Sequence, residues 1–293
     1  MSKQVRVNLF EVGRTETKTQ PLSETLEEFS RMALSERLRG EIRLEQVDHI
    51  DADAVVPRST FHLEFSKSRA IGPGRMSSDT PLQDINLAAG ELFGEETTAL
   101  YVPSRAWLLV LNNHYGVGPS RMAAYFNSLD SGNMGRFFDY SVEPMIDRGA
   151  MDRMKSMRRF AEVEISAKVG VFGEPENEFA ESVGDAVRQV NAARVSLRLM
   201  ANEKHKHGSS LTPSVVRAFI KKMLPHSEDI DRLVVKADDE TIETKDKVVD
   251  LLKHKMFRPF SERELEVSGG RFTHRSKISL LRRACRGWIK ELG

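Results

Sequence analysis

Four short stretches of this chain carry residue types and spacings that could do chemistry. In EKHKHG, His205 and His207 stand two apart, so both imidazoles face one side of an extended segment, where Glu203 could join them around a metal ion. Further donors do not follow, and Lys204 and Lys206 would repel a cation, so the stretch reads as a solvated turn or a phosphate contact and no metal ligand is assigned. GVGPSRM, from Gly116, precedes a helix whose N-terminus could cradle a phosphate, but it lacks the lysine and spacing of a P-loop and reads equally as a tight turn. Glu243 and Lys245, with Asp238 and Asp239 upstream, resemble half of a metal-dependent nuclease site, in which acids hold Mg²⁺ and a lysine assists the attacking water. Such pairs also arise in any charged stretch. Cys285 lies on the apolar stripe of a helix and reads as core. No Gly-x-Ser-x-Gly and no His-Glu-x-x-His occurs, so no catalytic residue and no cofactor is assigned, and a non-enzymatic protein is the expectation.

The elements that must position these residues follow from hydrophobic spacing. VRVNLFEV alternates as a half-buried strand, and Leu22, Leu26, Phe29 and Met32 recur at helical spacing behind Ser23 as a cap. STFHLEFSKS reads as a strand, and TTALY and WLLVL flank Pro103-Ser104-Arg105 as an antiparallel hairpin. Met122, Tyr125, Phe126 and Leu129 then mark one side of a helix. From Phe160 the order becomes regular: strand AEVEISAKV, helix ENEFAESVGDAVRQVN, strand RVSLRLMA, helix PSVVRAFIKKML capped by Thr212, strand RLVVKA. This βαβαβ succession suggests an α/β unit with helices against at least one sheet face. A helix KDKVVDLLKHK, a strand FSERELEV and a closing helix from Ser276 to Leu292 complete the chain. The fold class is therefore α+β with two domains: a globular domain with a mixed or antiparallel sheet over 1–158, an inserted βαβαβ domain over 159–243, and a helical segment over 244–293 packing back on the globular domain.

The chain has 293 residues, and its 44 Lys and Arg against 43 Asp and Glu leave a net charge of only +1, so any charged partner must be met by local charge. A single cysteine, a start without an apolar leader and the lack of a run of roughly 20 apolar residues lead us to expect a cytosolic chain that does not span a membrane. Locally the balance breaks. Between Arg194 and Lys236 there are nine cations (Arg194, Arg198, Lys204, Lys206, Arg217, Lys221, Lys222, Arg232 and Lys236) against four acids. Alternation puts Arg194 and Arg198 opposite Val195, Leu197 and Leu199, and puts Arg232 and Lys236 opposite Leu233 and Val235. On the helix, Arg217 and Lys221 share the side away from Val216, Phe219, Ile220 and Met223, with Lys222 beside them. The closing helix adds Arg275, Lys277, Arg282, Arg283, Arg286 and Lys290 around Ile278, Leu281, Cys285, Trp288 and Leu292. Clustered cations on a neutral frame are the footprint of a polyanion binder. Solvated charged faces are the plainer alternative.

The order of features resembles the RexA-type phage-exclusion proteins of lambda-like prophages. The passages that carry the resemblance are TTALYVPSRAWLLVL, GVGPSRMAAYF, EPMIDRGAMDRMKSMRRFAEVEISAKV and RLVVKADDE, in that order over roughly Leu92 to Asp250. The resemblance implies a homodimer of two-domain subunits, one domain hinged, that binds double-stranded DNA without strong sequence preference and carries no catalytic residues. It further implies a role in abortive infection, sensing phage DNA and switching on a membrane-protein effector, and it matches a family cation to Lys236. The expected function is thus nonspecific duplex-DNA binding in phage exclusion. The alternatives are a nuclease using Glu243 and Lys245 and a module whose basic helix docks an acidic protein.

Overall fold

The computed structural model of the protein describes residues 4–14, 19–69, 71–72, 83–129, 139–172, 192–201, 210–227, 229–237 and 247–293. Its elements, in chain order, are β1 (Gln4–Arg14), α1 (Leu22–Arg31), β2 (Leu38–Arg39), β3 (Ile42–Ile50), β4 (Thr60–Arg69), β5 (Phe93–Val102), β6 (Trp107–Leu111), α2 (Pro119–Asn127), β7 (Tyr140–Pro144), α3 (Arg148–Ser156) and β8 (Phe160–Lys168). They continue with β9 (Arg194–Met200), α4 (Pro213–Met223), β10 (Ile230–Ala237), β11 (Val248–Asp250), β12 (Phe257–Ser261), β13 (Val267–Ser268), β14 (Arg271–Phe272) and α5 (His274–Leu292). The chain divides into two units: Met1–Val142 together with Phe257–Gly293, and Glu143–Met256 inserted between them. The expected boundaries 159 and 243 fall inside the second unit, because β8 and α4 bury α3, and β10 pairs with β11, in one core.

In the first unit the strands order as β12-β1-β6-β5-β4-β3-β2, antiparallel along this path, with β7 also paired to β1. The α+β class stands. Period-two alternation assigns each strand's side chains to two faces. On one face Phe10, Phe61, Leu63, Phe65, Tyr101 and Leu108 pack against Leu26 and Phe29 of α1 and Met122, Tyr125 and Phe126 of α2. Helix α5 lies against β5 and β6 and buries Leu280, Leu281, Ala284, Cys285 and Trp288. A helix seated across a sheet needs a wider apolar arc than the expected stripe, which is why Leu280 and Ala284 are buried while Ile278 and Leu292 stay half-buried. The hairpin of β5 and β6 forms as expected, turning through Pro103–Arg105 with Ala106 left-handed at φ 53°. Helix α1 starts two residues earlier than expected: Pro21 occupies the cap position, and Ser23 lies in the first turn.

In the second unit the sheet runs β11-β10-β8-β9 and every pair is antiparallel. The succession β8, β9, α4, β10 keeps the expected order, and the helix expected over Glu176–Asn191 lies outside the described residues. The α/β layer expected here is corrected to an antiparallel sheet. Parallel strands are covered on both faces and read as continuous apolar runs, whereas Glu162, Glu164, Arg198, Arg232 and Lys236 alternate with apolar residues, the pattern of a sheet with one wet face. The other face packs Val163, Ile165, Leu233 and Val235 against Val216, Ile220 and Met223 of α4 and Ala150 and Met154 of α3. The expected helix KDKVVDLLKHK is also corrected. Val248–Asp250 pairs as β11 on the edge of β10, Val249 opposite Val235, and only a single turn over Leu251–His254 follows, so a free ladder edge overrides local helical spacing.

Candidate functional site

Of the nine cations singled out from sequence, the seven that are described divide between two sides of the second unit. On the wet face of the sheet, Arg194, Arg198, Arg232 and Lys236 each meet a carboxylate. Glu162, at the centre, receives Arg198 at 2.7 Å and Lys236 at 2.9 Å. Arg232 reaches Glu164 at 2.9 Å, Arg194 bonds Asp231, and Lys168 meets Asp229 at 2.6 Å. The Arg198 guanidinium, then the Lys236 ammonium, hold the Glu162 carboxyl below its ordinary value against the opposing effect of burial. The face is a charge ladder built on β8, and its acids answer the cations that sequence reading had counted as free.

The helical side differs. Val216, Ile220 and Met223 turn α4 onto the core, which leaves Arg217 and Lys221 exposed and Lys222 half-buried. Thr212 stands at the cap position but its side chain makes no cap hydrogen bond. The Arg217 guanidinium lies 5.7 Å from the Phe160 ring centroid and donates to the backbone carbonyls of Lys155 at 3.2 Å and Met157 at 2.9 Å. This fastens α4 to the turn between α3 and β8, where Lys155 and Arg158 are exposed. Among the described residues Lys155, Arg158, Arg217, Lys221 and Lys222 have no carboxylate partner. Lys204, Lys206, His205, His207, Glu243 and Lys245 lie outside the described residues.

Sequence reading missed a polar cluster in the first unit. His62 and Glu64 of β4 project from the face opposite Phe61, Leu63 and Phe65, toward the first turns of α5. Lys277, expected on a cationic surface, is 3% exposed; its ammonium bonds Glu64 and lies 3.2 Å from Glu96 Oε2. His274 Nδ1 is 2.5 Å from Glu64 Oε2, and Thr98 Oγ1 donates to Glu64 Oε1 at 2.9 Å. Burial would raise the Glu64 carboxyl, but the bonds from Lys277 and His274 outweigh it and hold it below its ordinary value. Asp48 of β3 approaches both rings: its Oδ2 is 3.8 Å from His62 Nδ1 and 3.7 Å from His274 Nε2. Burial keeps His62 neutral, its pKa pushed down to about 3. Beside the cluster opens a cleft of about 1000 Å³ lined by Arg43, Gln46, Glu64, Glu96, Arg271, His274 and Lys277. The sequence held a signal for it: His62-x-Glu64 on a strand whose intervening residues are large and apolar, and His274 three residues before Lys277 on one helical face.

The remaining chemical stretches are structural. Gly116 sits where a Cβ would lie 2.0 Å from Thr97 Oγ1, and Thr97 Oγ1 also accepts from Val117 N–H at 2.7 Å, so GVGPSRM is a turn clamped to β5. Val117, two residues before α2, thereby commits its amide to Thr97 rather than to a ligand. Cys285 is fully buried, and burial pushes its thiol up to about 11. In the closing helix Arg282 bonds Asp53 and Arg283 bonds Glu264, leaving Arg275, Arg286 and Lys290 exposed.

Fold and site together define a two-unit α+β protein whose inserted unit carries a paired charge ladder on one side and, among the described residues, cations without a carboxylate partner on the other. The chain belongs to a family of unknown function, DUF6731, whose model matches residues 2–278. No curated protein matches it. No helix among the described residues is long and apolar enough to cross a membrane.

Proposed function

We propose that the protein binds double-stranded DNA without sequence preference, through the helical side of its second unit. The observation that carries this reading is the convergence of Lys155, Arg158, Arg217, Lys221 and Lys222 without carboxylate partners, on a chain of net charge +1 whose other cations are largely paired. A cation already answered by a carboxylate gives up that pair to take a phosphate, whereas these five have no carboxylate to leave among the described residues, and Arg217 gives up only its bonds to two backbone carbonyls. Arg194, Arg198, Arg232 and Lys236 are thereby secondary contacts, and Lys204 and Lys206, between β9 and α4 in sequence, are counted with them rather than with the five. The setting in phage exclusion, with a homodimer and a membrane-protein effector, rests on the resemblance to RexA-type proteins alone.

Fluorescence anisotropy of a labelled duplex of about 30 base pairs, titrated at several salt concentrations, tests the reading. Five phosphate contacts correspond to a slope of log affinity against log salt of about −4.5, with little dependence on base sequence. Absence of binding at low salt would overturn it, and capture of an acidic protein partner would then explain the same cations.

A further inference from the structure

We propose that Asp48, His62 and His274 form a binding site for one divalent first-row transition ion such as Zn²⁺, with Glu64 as the outer carboxylate that orients His274. This site does not depend on the DNA-binding reading, since all four residues belong to the first unit. The ligand atoms of the three residues lie within 4.8 Å of one another. Donors at ordinary zinc distances of about 2.1 Å stand at most about 4.2 Å apart, so the measured 3.7 Å and 3.8 Å already suit a shared ion, and any wider pair closes with a shift of about 0.6 Å or less.

A second observation points to a ligand. The His62 side chain is 0% exposed, yet neither of its ring nitrogens has a hydrogen-bond partner. A buried donor or acceptor left unpaired costs about 1–3 kcal/mol, and a core position wanting only bulk would be met by Leu or Phe. Its ring stands edge-on to that of His274, centroids 4.5 Å apart, with Asp48 Oδ2 facing both. Neutral imidazole is the form that ligates a metal.

The outer partners fit the same assignment. Glu64 Oε2 lies 2.5 Å from His274 Nδ1, which places the ring proton on Nδ1 and leaves the Nε2 lone pair toward Asp48, the carboxylate–histidine arrangement typical of metal sites. Gln46 Nε2 donates to Asp48 Oδ2 at 2.6 Å and fixes that carboxylate. Two imidazoles and one carboxylate suit zinc, iron or manganese over calcium or magnesium, which take oxygen donors. Three protein ligands leave a position open, and because Asp48 and His274 are partly exposed and His274 and Gln46 line the cleft, that position is reached from solvent.

The test uses the full chain, stripped with chelator and titrated with Co²⁺, whose visible absorption reports coordination, followed by displacement with Zn²⁺. One equivalent per chain is expected, at least 10-fold weaker in Asp48→Asn and in His274→Gln. Asp48 is a half-exposed side chain, so Asp48→Asn keeps the test valid should His274→Gln fail to fold. The double variant His205→Ala/His207→Ala separates this site from the histidine pair of the EKHKHG stretch. Retention of the equivalent in Asp48→Asn and His274→Gln, its loss in the His205/His207 variant, or no Co²⁺ uptake by the wild-type chain would each overturn the inference.

Discussion

Replacing Lys277 with methionine tests the energetic reading of the buried cluster most directly. The ammonium is 3% exposed and bonds Glu64, with Glu96 3.2 Å away, and the two carboxylate side chains are themselves only 12% and 22% exposed. Methionine keeps the aliphatic stem, so packing against the sheet survives and the charge alone is removed. Breaking a buried pair from one side costs about 3–5 kcal/mol, since the abandoned carboxylate stays desolvated. His274 beside Glu64 and Arg271 bonded to Glu96 offset part of that loss, which sets the expectation near about 3 kcal/mol. At about 2–4 °C per kcal/mol for a domain of this size, the calorimetric transition of the first unit should fall by about 6–12 °C. Removing the stranded charge as well, in Lys277→Met/Glu64→Gln, should recover more than half of that drop, because the double change leaves one fewer unpaired ion. A single variant within about 0.5 kcal/mol of wild type, or a double variant whose losses simply add, would refute the claim that this pair is buried and coupled.

The other predictions concern charge and reactivity. Lys221→Ala/Lys222→Ala should flatten the salt slope of duplex binding from about −4.5 to about −2.7, while Arg198→Ala/Arg232→Ala changes it by less than one unit; equal effects of the two pairs, read by anisotropy, would place the contacts on neither side in particular. Cys285, buried with its thiol pushed up to about 11, should not react with a disulfide reagent at pH 8 until denaturant unfolds the chain, and stoichiometric labelling of the native protein would show that α5 is not seated as described. The Arg282 guanidinium, followed by the Val56 backbone amide, lowers Asp53 to about 2. A depressed carboxylate contributes stability above its unfolded value of 3.8, and that contribution is lost as pH falls through about 2. Carbon-detected NMR should therefore show Asp53 titrating near 2 and moving up toward 3.8 in Arg282→Ala, and an unmoved midpoint would rule out the pair.

Local pattern was enough for much of the frame. The alternation of VRVNLFEV, the hairpin about Pro103–Arg105, the helices carrying Met122 and Val216, and the split of Arg194 and Arg198 from Val195 and Leu197 all follow from side-chain periods of 2 and 3.6, which act over neighbouring residues. Period alone also placed Lys277 on a cationic helix surface, since a pattern of charge cannot say that two carboxylates wait on the facing strands.

What the sequence determined by itself was therefore the two-part α+β layout, the near-zero net charge and the concentration of cations between Arg194 and Lys236. Tertiary structure alone decided which of those cations are free. Glu162 and Glu164 stand more than 30 residues before their partners Arg198 and Arg232, and antiparallel pairing of β8 with both β9 and β10 brings them together. The cluster of Asp48, His62, Glu64 and His274 joins chain segments more than 200 residues apart for the same reason. Contacts of that range are set by strand register and by the seat of α5 on the sheet, which depend on the burial of the whole core and are invisible to any window of neighbouring residues.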